Sequence, residues 1–219
     1  MTSTRRNTGR RRPASPTPPQ RKLPIVPIVF GVIAVGLITV VLVSFSGETE
    51  AEDEYGNPSV TGTVLPRFEQ ADSDPAVGSP APEVTGAGFD GTPVVIENDG
   101  RPKMVVFLAH WCPHCQAEVP DVQAWVDAGN LPEGIDLYSV STSMSRTRDN
   151  FPASRWLERE TWSAPVIADD EDSSVADAYG LSAFPFWVFI EADGTVAGRI
   201  TGGLQTSTLD QIAVDLLAN

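Results

Sequence analysis

Residues 103–128 constrain the fold of this chain more than any other stretch. The apolar run Met104-Val105-Val106-Phe107-Leu108-Ala109 reads as a buried strand, and Gln116 to Ala128 reads as a helix. Between them lies Trp111-Cys112-Pro113-His114-Cys115, which holds the only two cysteines among 219 residues. A purely structural crosslink gains more by closing a longer loop, because short loops remove little entropy from the unfolded chain. Two cysteines at a strand-to-helix turn therefore point to chemistry. At a helix start, unpaired amides and the positive end of the dipole favour a thiolate, the form of cysteine that attacks disulfides.

The first 22 residues carry seven basic side chains and no acidic one, and read as a disordered, Pro-rich tail. Leu23 to Phe45 follows without a charge, long enough at about 1.5 Å per residue to cross a hydrocarbon core of about 30 Å. The basic flank predicts that residues 1–22 stay in the cytoplasm, that 23–45 is a transmembrane helix in the cell membrane, and that everything after Ser46 is extracytoplasmic. A cleaved signal peptide is the alternative, but Ser44-Phe45-Ser46-Gly47-Glu48 is a poor cleavage site and the apolar run is long for a signal core.

All 29 acidic residues follow position 47, where only eight basic ones remain, a formal charge of 8 minus 29, or −21. That excludes nucleic acid as a partner of the external part and disfavours tight contact with anionic lipid or acidic substrates. An external compartment is also where disulfides persist. Residues 46–77, with the acidic cluster Glu48, Glu50, Glu52, Asp53 and Glu54, read as a flexible, solvated linker.

Residues 78–219 are one domain by size. Strands are expected at Pro93–Glu97, Lys103–Ala109, Ile135–Thr142 and Ala164–Ala168, with helices at Ala153–Glu160 and Ser173–Tyr179. Phe186–Glu191 and Val196–Thr201 form a hairpin through Asp193-Gly194, before a last helix from Ser207 to Leu217. Strands alternating with helices, then a hairpin and a closing helix, describe an α/β fold with a mixed central sheet. Trp125, Trp156, Trp162 and Trp187 read as core side chains. Asp169-Asp170-Glu171-Asp172 lacks the ligand spacing of a calcium loop and reads as acidity before a helix start.

With these elements in place, Val77 to Asn219 resembles the thioredoxin fold, and within it the membrane-anchored thiol-disulfide oxidoreductases of the TlpA/ResA-like redoxin family. The resemblance rests on Gly78-Ser79-Pro80-Ala81-Pro82, Trp111-Cys112-Pro113-His114-Cys115, Glu118-Val119-Pro120 and Ala183-Phe184-Pro185-Phe186, in that order. It implies Cys112 as an exposed nucleophile and Cys115 as the resolving thiol, which attacks the mixed disulfide and releases the product. Pro185 matches a cis-proline opposite the motif that orients a client strand, and Trp111, Pro113, His114 and Phe184 line the expected client surface. Glu118 stands where the family often has a glutamate, placed to take the Cys115 proton if burial raises its pKa. Related thioredoxins carry a buried acid on the preceding strand, where this chain has Val106. Pro120 is expected to kink the active helix.

The resemblance implies no cofactor. It implies protein thiols or disulfides as clients, apocytochrome c among them, and a membrane redox partner that supplies electrons or accepts them. The direction is open at this point. The Pro113-His114 pair resembles strongly oxidising thiol oxidases, since a histidine beside Cys112 would stabilise its thiolate, whereas the family as a whole implies reduction. Two other readings remain. His110, Cys112, His114 and Cys115 gather soft-metal ligands within six residues, as a copper- or zinc-binding chaperone would. A peroxidase shares the Gly-x-Pro-Ala-Pro opening, but its usual Thr or Ser ahead of the reactive cysteine is missing around Cys112.

Overall fold

The computed structural model describes residues 54–218. The expected tail (1–22), membrane helix (23–45) and start of the linker (46–53) lie outside the described residues. Among the described residues no helix is long and apolar enough to cross a membrane.

Three strands, β1 (Ser59–Thr61), β2 (Glu83–Ala87) and β3 (Pro93–Ile96), form an antiparallel sheet in that order. Five more, β4 (Lys103–Leu108), β5 (Asp136–Ser141), β6 (Val166–Ala168), β7 (Phe186–Ile190) and β8 (Val196–Thr201), form a mixed sheet ordered β6-β5-β4-β7-β8. Strands β4, β5 and β6 run parallel, while β7 and β8 are antiparallel. The helices are α1 (Pro113–Asp127), α2 (Ala153–Arg159), α3 (Ser174–Ala178) and α4 (Thr206–Ala218). This is the mixed α/β sheet expected from the order of elements.

All six residues of β4 are buried: Met104 to Leu108 as an apolar run in a central strand with both faces covered requires, and Lys103 with its ammonium paired to Asp99. Side-chain alternation divides it between two cores. Met104, Val106 and Leu108 join Trp187 and Phe189 of β7, Val119 and Trp125 of α1 and Trp156 of α2. Val105 and Phe107 face the other way, toward Phe186 and Val188 of β7, Val84, Ile96 and Tyr179. The two strands at the centre thus place the cysteine-bearing helix on one face and the small sheet on the other.

The hairpin forms around Asp193-Gly194 as expected, with Gly194 at φ 83° and the Asp193 carboxylate accepting from the Thr195 amide at 2.9 Å. Helix α1 begins at Pro113, three residues before the expected start, because Pro at the first position needs no amide partner. It continues through Pro120 to Asp127.

The larger correction concerns residues 54–77, expected to be linker. From Glu54 on they pack against the domain. The Glu54 carboxylate accepts from the Ser154 amide at 3.1 Å and from its hydroxyl. The Gly56 amide donates to Asp169 at 2.9 Å, so close that a Cβ on Gly56 would stand 2.0 Å from the Ala168 carbonyl oxygen. Leu65 and Phe68 are buried, and their amides donate to the Ala178 and Gly180 carbonyls at 2.8 Å each. Asp74 then meets Arg199, which donates from Nε to Oδ2 at 2.8 Å and from Nη2 to Oδ1. The same guanidinium donates to the Pro66 and Tyr179 carbonyls. A buried pair with both carboxylate oxygens bonded clamps the N-terminal strap onto β8.

Candidate active site

Strand β4 ends against α1, and the turn between them delivers both cysteines. Cys112 is the residue that precedes the helix, with extended backbone at φ −80° and ψ 119°. Its amide donates to Ala109 and its carbonyl accepts from Gln116, at 2.9 and 3.0 Å. Cys115 lies in the first turn. The two are free thiols.

Cys112 was expected to be exposed, and it is not: 5% of its surface is accessible, and Cys115 has none. Both belong to the core cluster against which Trp111 and Phe184 pack. Those two rings meet edge to face, with centroids 5.7 Å apart, and the Trp111 indole donates to the Ser143 carbonyl at 2.8 Å. Burial pushes the Cys115 thiol well above its ordinary pKa, and the neighbouring Cys112 and Glu118 push it further against a hydrogen bond from the Ala109 backbone. Cys115 is thus held in its protonated form.

Glu118 lies on the same helix. It is buried on α1, one turn beyond Cys115, and burial raises its pKa above the usual carboxylate range. Its Oε1 accepts from the Trp187 indole at 3.1 Å and from the Leu204 amide at 2.6 Å. Its Oε2 is buried with no partner among the described residues. Trp187 lies on β7 directly across from Val106 of β4. The chain therefore lacks an acid on β4 and instead holds one on the helix through the indole of the adjacent strand. Sequence reading found Glu118 but took Trp187 for packing alone; nothing in a lone tryptophan marks its N–H as a carboxylate donor.

The Phe184–Pro185 bond is cis, and the Pro185 carbonyl accepts from Gly202 at 2.8 Å. A second cis bond joins Phe151 and Pro152. Pro113 and His114 are exposed on the surface beside the cysteines.

His110 does not serve the metal reading. It is fully buried, its Nδ1 donates to the Asp149 carbonyl at 2.7 Å, and its Nε2 accepts from the Ser145 amide at 3.1 Å. Both nitrogens are committed, and burial lowers its pKa so that the ring stays neutral. Among the described residues no group of three or more His, Cys, Asp or Glu is arranged to hold a metal. The histidine instead fixes the loop after β5 beside Trp111, whose ring lies 4.2 Å beneath the Arg148 guanidinium.

A family model described as Redoxin matches residues 76–215. Among curated proteins, the methylamine utilization protein MauD of Methylobacillus flagellatus is 24% identical over 131 residues, 58% of this chain and 58% of MauD. The thiol-disulfide oxidoreductase ResA of Oceanobacillus iheyensis is 26% identical over 114 residues, 52% of this chain and 55% of ResA. The matched region spans little more than half the length of these relatives. A thiol:disulfide interchange protein of the thioredoxin family from Chlorobium tepidum superposes with a TM-score of 0.53 at 24% identity, covering 66% of this chain and 99% of that structure. The fold is therefore thioredoxin-like, and the chain belongs to the Redoxin family.

Proposed function

We propose that this protein is a thiol-disulfide oxidoreductase that exchanges disulfides with protein clients through Cys112 and Cys115. The observation that carries this reading is the proton-holding Cys115 buried between a helix-terminal Cys112 and the half-satisfied carboxyl of Glu118. In the reducing direction, the Cys112 thiolate attacks one sulfur of the client disulfide and the other sulfur leaves as a thiolate. Cys115 then passes its proton to Glu118 and attacks the Cys112 sulfur of the mixed disulfide. The second client sulfur leaves, and the protein holds the Cys112–Cys115 disulfide. Two electrons have moved to the client; its first thiolate takes from water the proton that Cys112 had released there, and its second takes the proton that Glu118 received from Cys115. Client access to Cys112 runs between Trp111 and Phe184, with the backbone ahead of Pro185 as the pairing edge.

Reduction is the direction we infer. An oxidant needs its reduced form stabilised, and the residue that argued for this, His114, is exposed, its imidazole making no hydrogen bond or ion pair with a described residue. Burial of Cys115 works the other way, against its thiolate. The uncharged run 23–45 supports tethering in the cell membrane with the domain outside, where a membrane partner renews the electrons.

The test is Cys115→Ser in the full chain. It should accumulate client proteins as mixed disulfides through Cys112, seen as adducts that reductant dissolves and that Cys112→Ser abolishes. Adducts that persist in Cys112→Ser, or none in cells expressing Cys115→Ser, would contradict the assignment.

A further inference from the structure

Eight cationic side chains follow position 47, in a region of formal charge −21. Most are already engaged inside the domain. Arg101 pairs with Asp136, Lys103 with Asp99 and Arg199 with Asp74. Arg67 donates to the Leu181 and Ser182 carbonyls, Arg159 to the Asn150 side chain, and Arg155 has a partner of its own. The guanidinium groups of the two that remain, Arg146 and Arg148, make no hydrogen bond or ion pair with a described residue.

Both sit on the loop after β5, exposed, and both lie over aromatic rings: Arg148 at 4.2 Å from the Trp111 centroid and Arg146 at 6.0 Å from that of Phe151. Stacking holds a guanidinium by its face and leaves its edge N–H groups for a carboxylate. The loop is itself held, since Ser143 accepts from the Trp111 indole while Ser145 and Asp149 bracket His110. Trp111 directly precedes Cys112. Arg148 is therefore held over the ring that precedes the reactive cysteine, with Arg146 on the same loop over Phe151, whose ring meets that of His110, two cations without a described ion pair in an acidic domain. Asp149 on the same loop, and Asp170, Glu171 and Asp172 ahead of Ser173, whose hydroxyl lies 3.5 Å from that of Ser143, bound the patch on one side.

At long range the acidic domain repels an acidic client. With a Debye length of about 8 Å at physiological salt, however, the charges that meet a docked client are those at the rim. We infer that Arg146 and Arg148 select protein clients with acidic side chains beside the disulfide that Cys112 opens. This inference rests on the exchange reaction proposed above.

The probes are three synthetic peptides, each with one internal disulfide, flanked by Asp and Glu, by Asn and Gln, or by Lys. The reduced full chain, in uncharged detergent at about 0.15 M salt, is followed through a single turnover. Its two cysteine thiols give two electrons and two protons to the peptide disulfide. The acidic peptide should react fastest and the lysine peptide slowest, the reverse of what overall charge dictates. Arg146→Gln with Arg148→Gln should lower the ratio of acidic to neutral rates about fivefold, as two exposed pairs at a rim would. The lysine versions of both should keep it. A change in folding or in attack by Cys112 moves both rates together and leaves this ratio alone. An unchanged ratio in the glutamine variant overturns the inference. So does a ratio of one that rises only when Glu48, Glu50, Glu52 and Asp53 are neutralised, which would assign the arginines to the chain's own acidic segment. Reduction of no peptide at all overturns the exchange reaction and this inference with it.

Discussion

The two faces of the central sheet bury ionisable groups in opposite ways. On the face of β2 and β3, Arg199 and Asp74 are almost completely inaccessible, yet each carboxylate oxygen meets a guanidinium N–H and Nη1 reaches two backbone carbonyls. On the face of α1, Glu118 is equally buried but one of its oxygens has no partner among the described residues, and the nearby Cys115 thiol is held uncharged by its surroundings. The guanidinium holds the Asp74 carboxyl below the usual range, while burial pushes Glu118 above it. A buried charge with every bond filled fixes a structure; a buried acid left one bond short can take up a proton when its neighbour must lose one.

The largest expected effect lies on the filled side. Asp74→Ala leaves Arg199 charged, buried and unpaired, and should cost about 3–5 kcal/mol of folding stability. Chemical denaturation measures it, and the rate of disulfide exchange per folded molecule should stay within about twofold of the parent, since the clamp touches neither cysteine. A loss below about 1 kcal/mol would mean the strap is not held by this pair.

On the unfilled side the effect moves from stability to rate. Glu118→Gln keeps an oxygen for Trp187 and Leu204 but cannot take a proton, so release of the mixed disulfide should slow by about 100-fold, with stability changed by less than about 1 kcal/mol. Stopped-flow decay of the mixed disulfide reads the step directly. Folding stability against pH sharpens the contrast, because the two carboxyls act with opposite sign. Asp74, lowered on folding, contributes stability present above its unfolded pKa of about 3.9 and lost as pH falls. Glu118, raised on folding, binds its proton more tightly when folded. Its contribution is greatest in acid and declines as pH rises from about 4.3 through its folded pKa, by at most about 1.4 kcal/mol per pH unit. Glu118→Gln should therefore remove that decline, and Asp74→Asn should flatten the acid limb. The same sign of change in both variants would dissolve the distinction between the faces.

How much of this was readable beforehand follows from the range of the interactions. The strand, turn and helix around Cys112 were legible because they depend on an apolar run and on residues a few positions apart. The Asp193-Gly194 hairpin was legible for the same reason. The strap 54–76 was not, since its anchors join residues about 100 or more positions apart and involve backbone and polar groups with no periodicity. Glu118 could be named as a candidate, but its burial, its partners and its bare oxygen depend on Trp187 and Leu204, which lie 69 and 86 residues away. His110 looked like a ligand because sequence shows a histidine's identity but not whether its nitrogens are already taken. The cover over Cys112 depends on Phe184, carried by a distant loop.

The central claim is that Cys112 and Cys115 form a reversible two-electron couple that donates electrons. Equilibrating the full chain with a glutathione redox series and reading the dithiol and disulfide forms by mass tests it most directly. A single two-electron transition confined to these cysteines, with a midpoint more negative than about −200 mV, is the expected result. Failure to form the Cys112–Cys115 disulfide would contradict the couple, and a midpoint near about −120 mV, as in a strong oxidant, would contradict the direction.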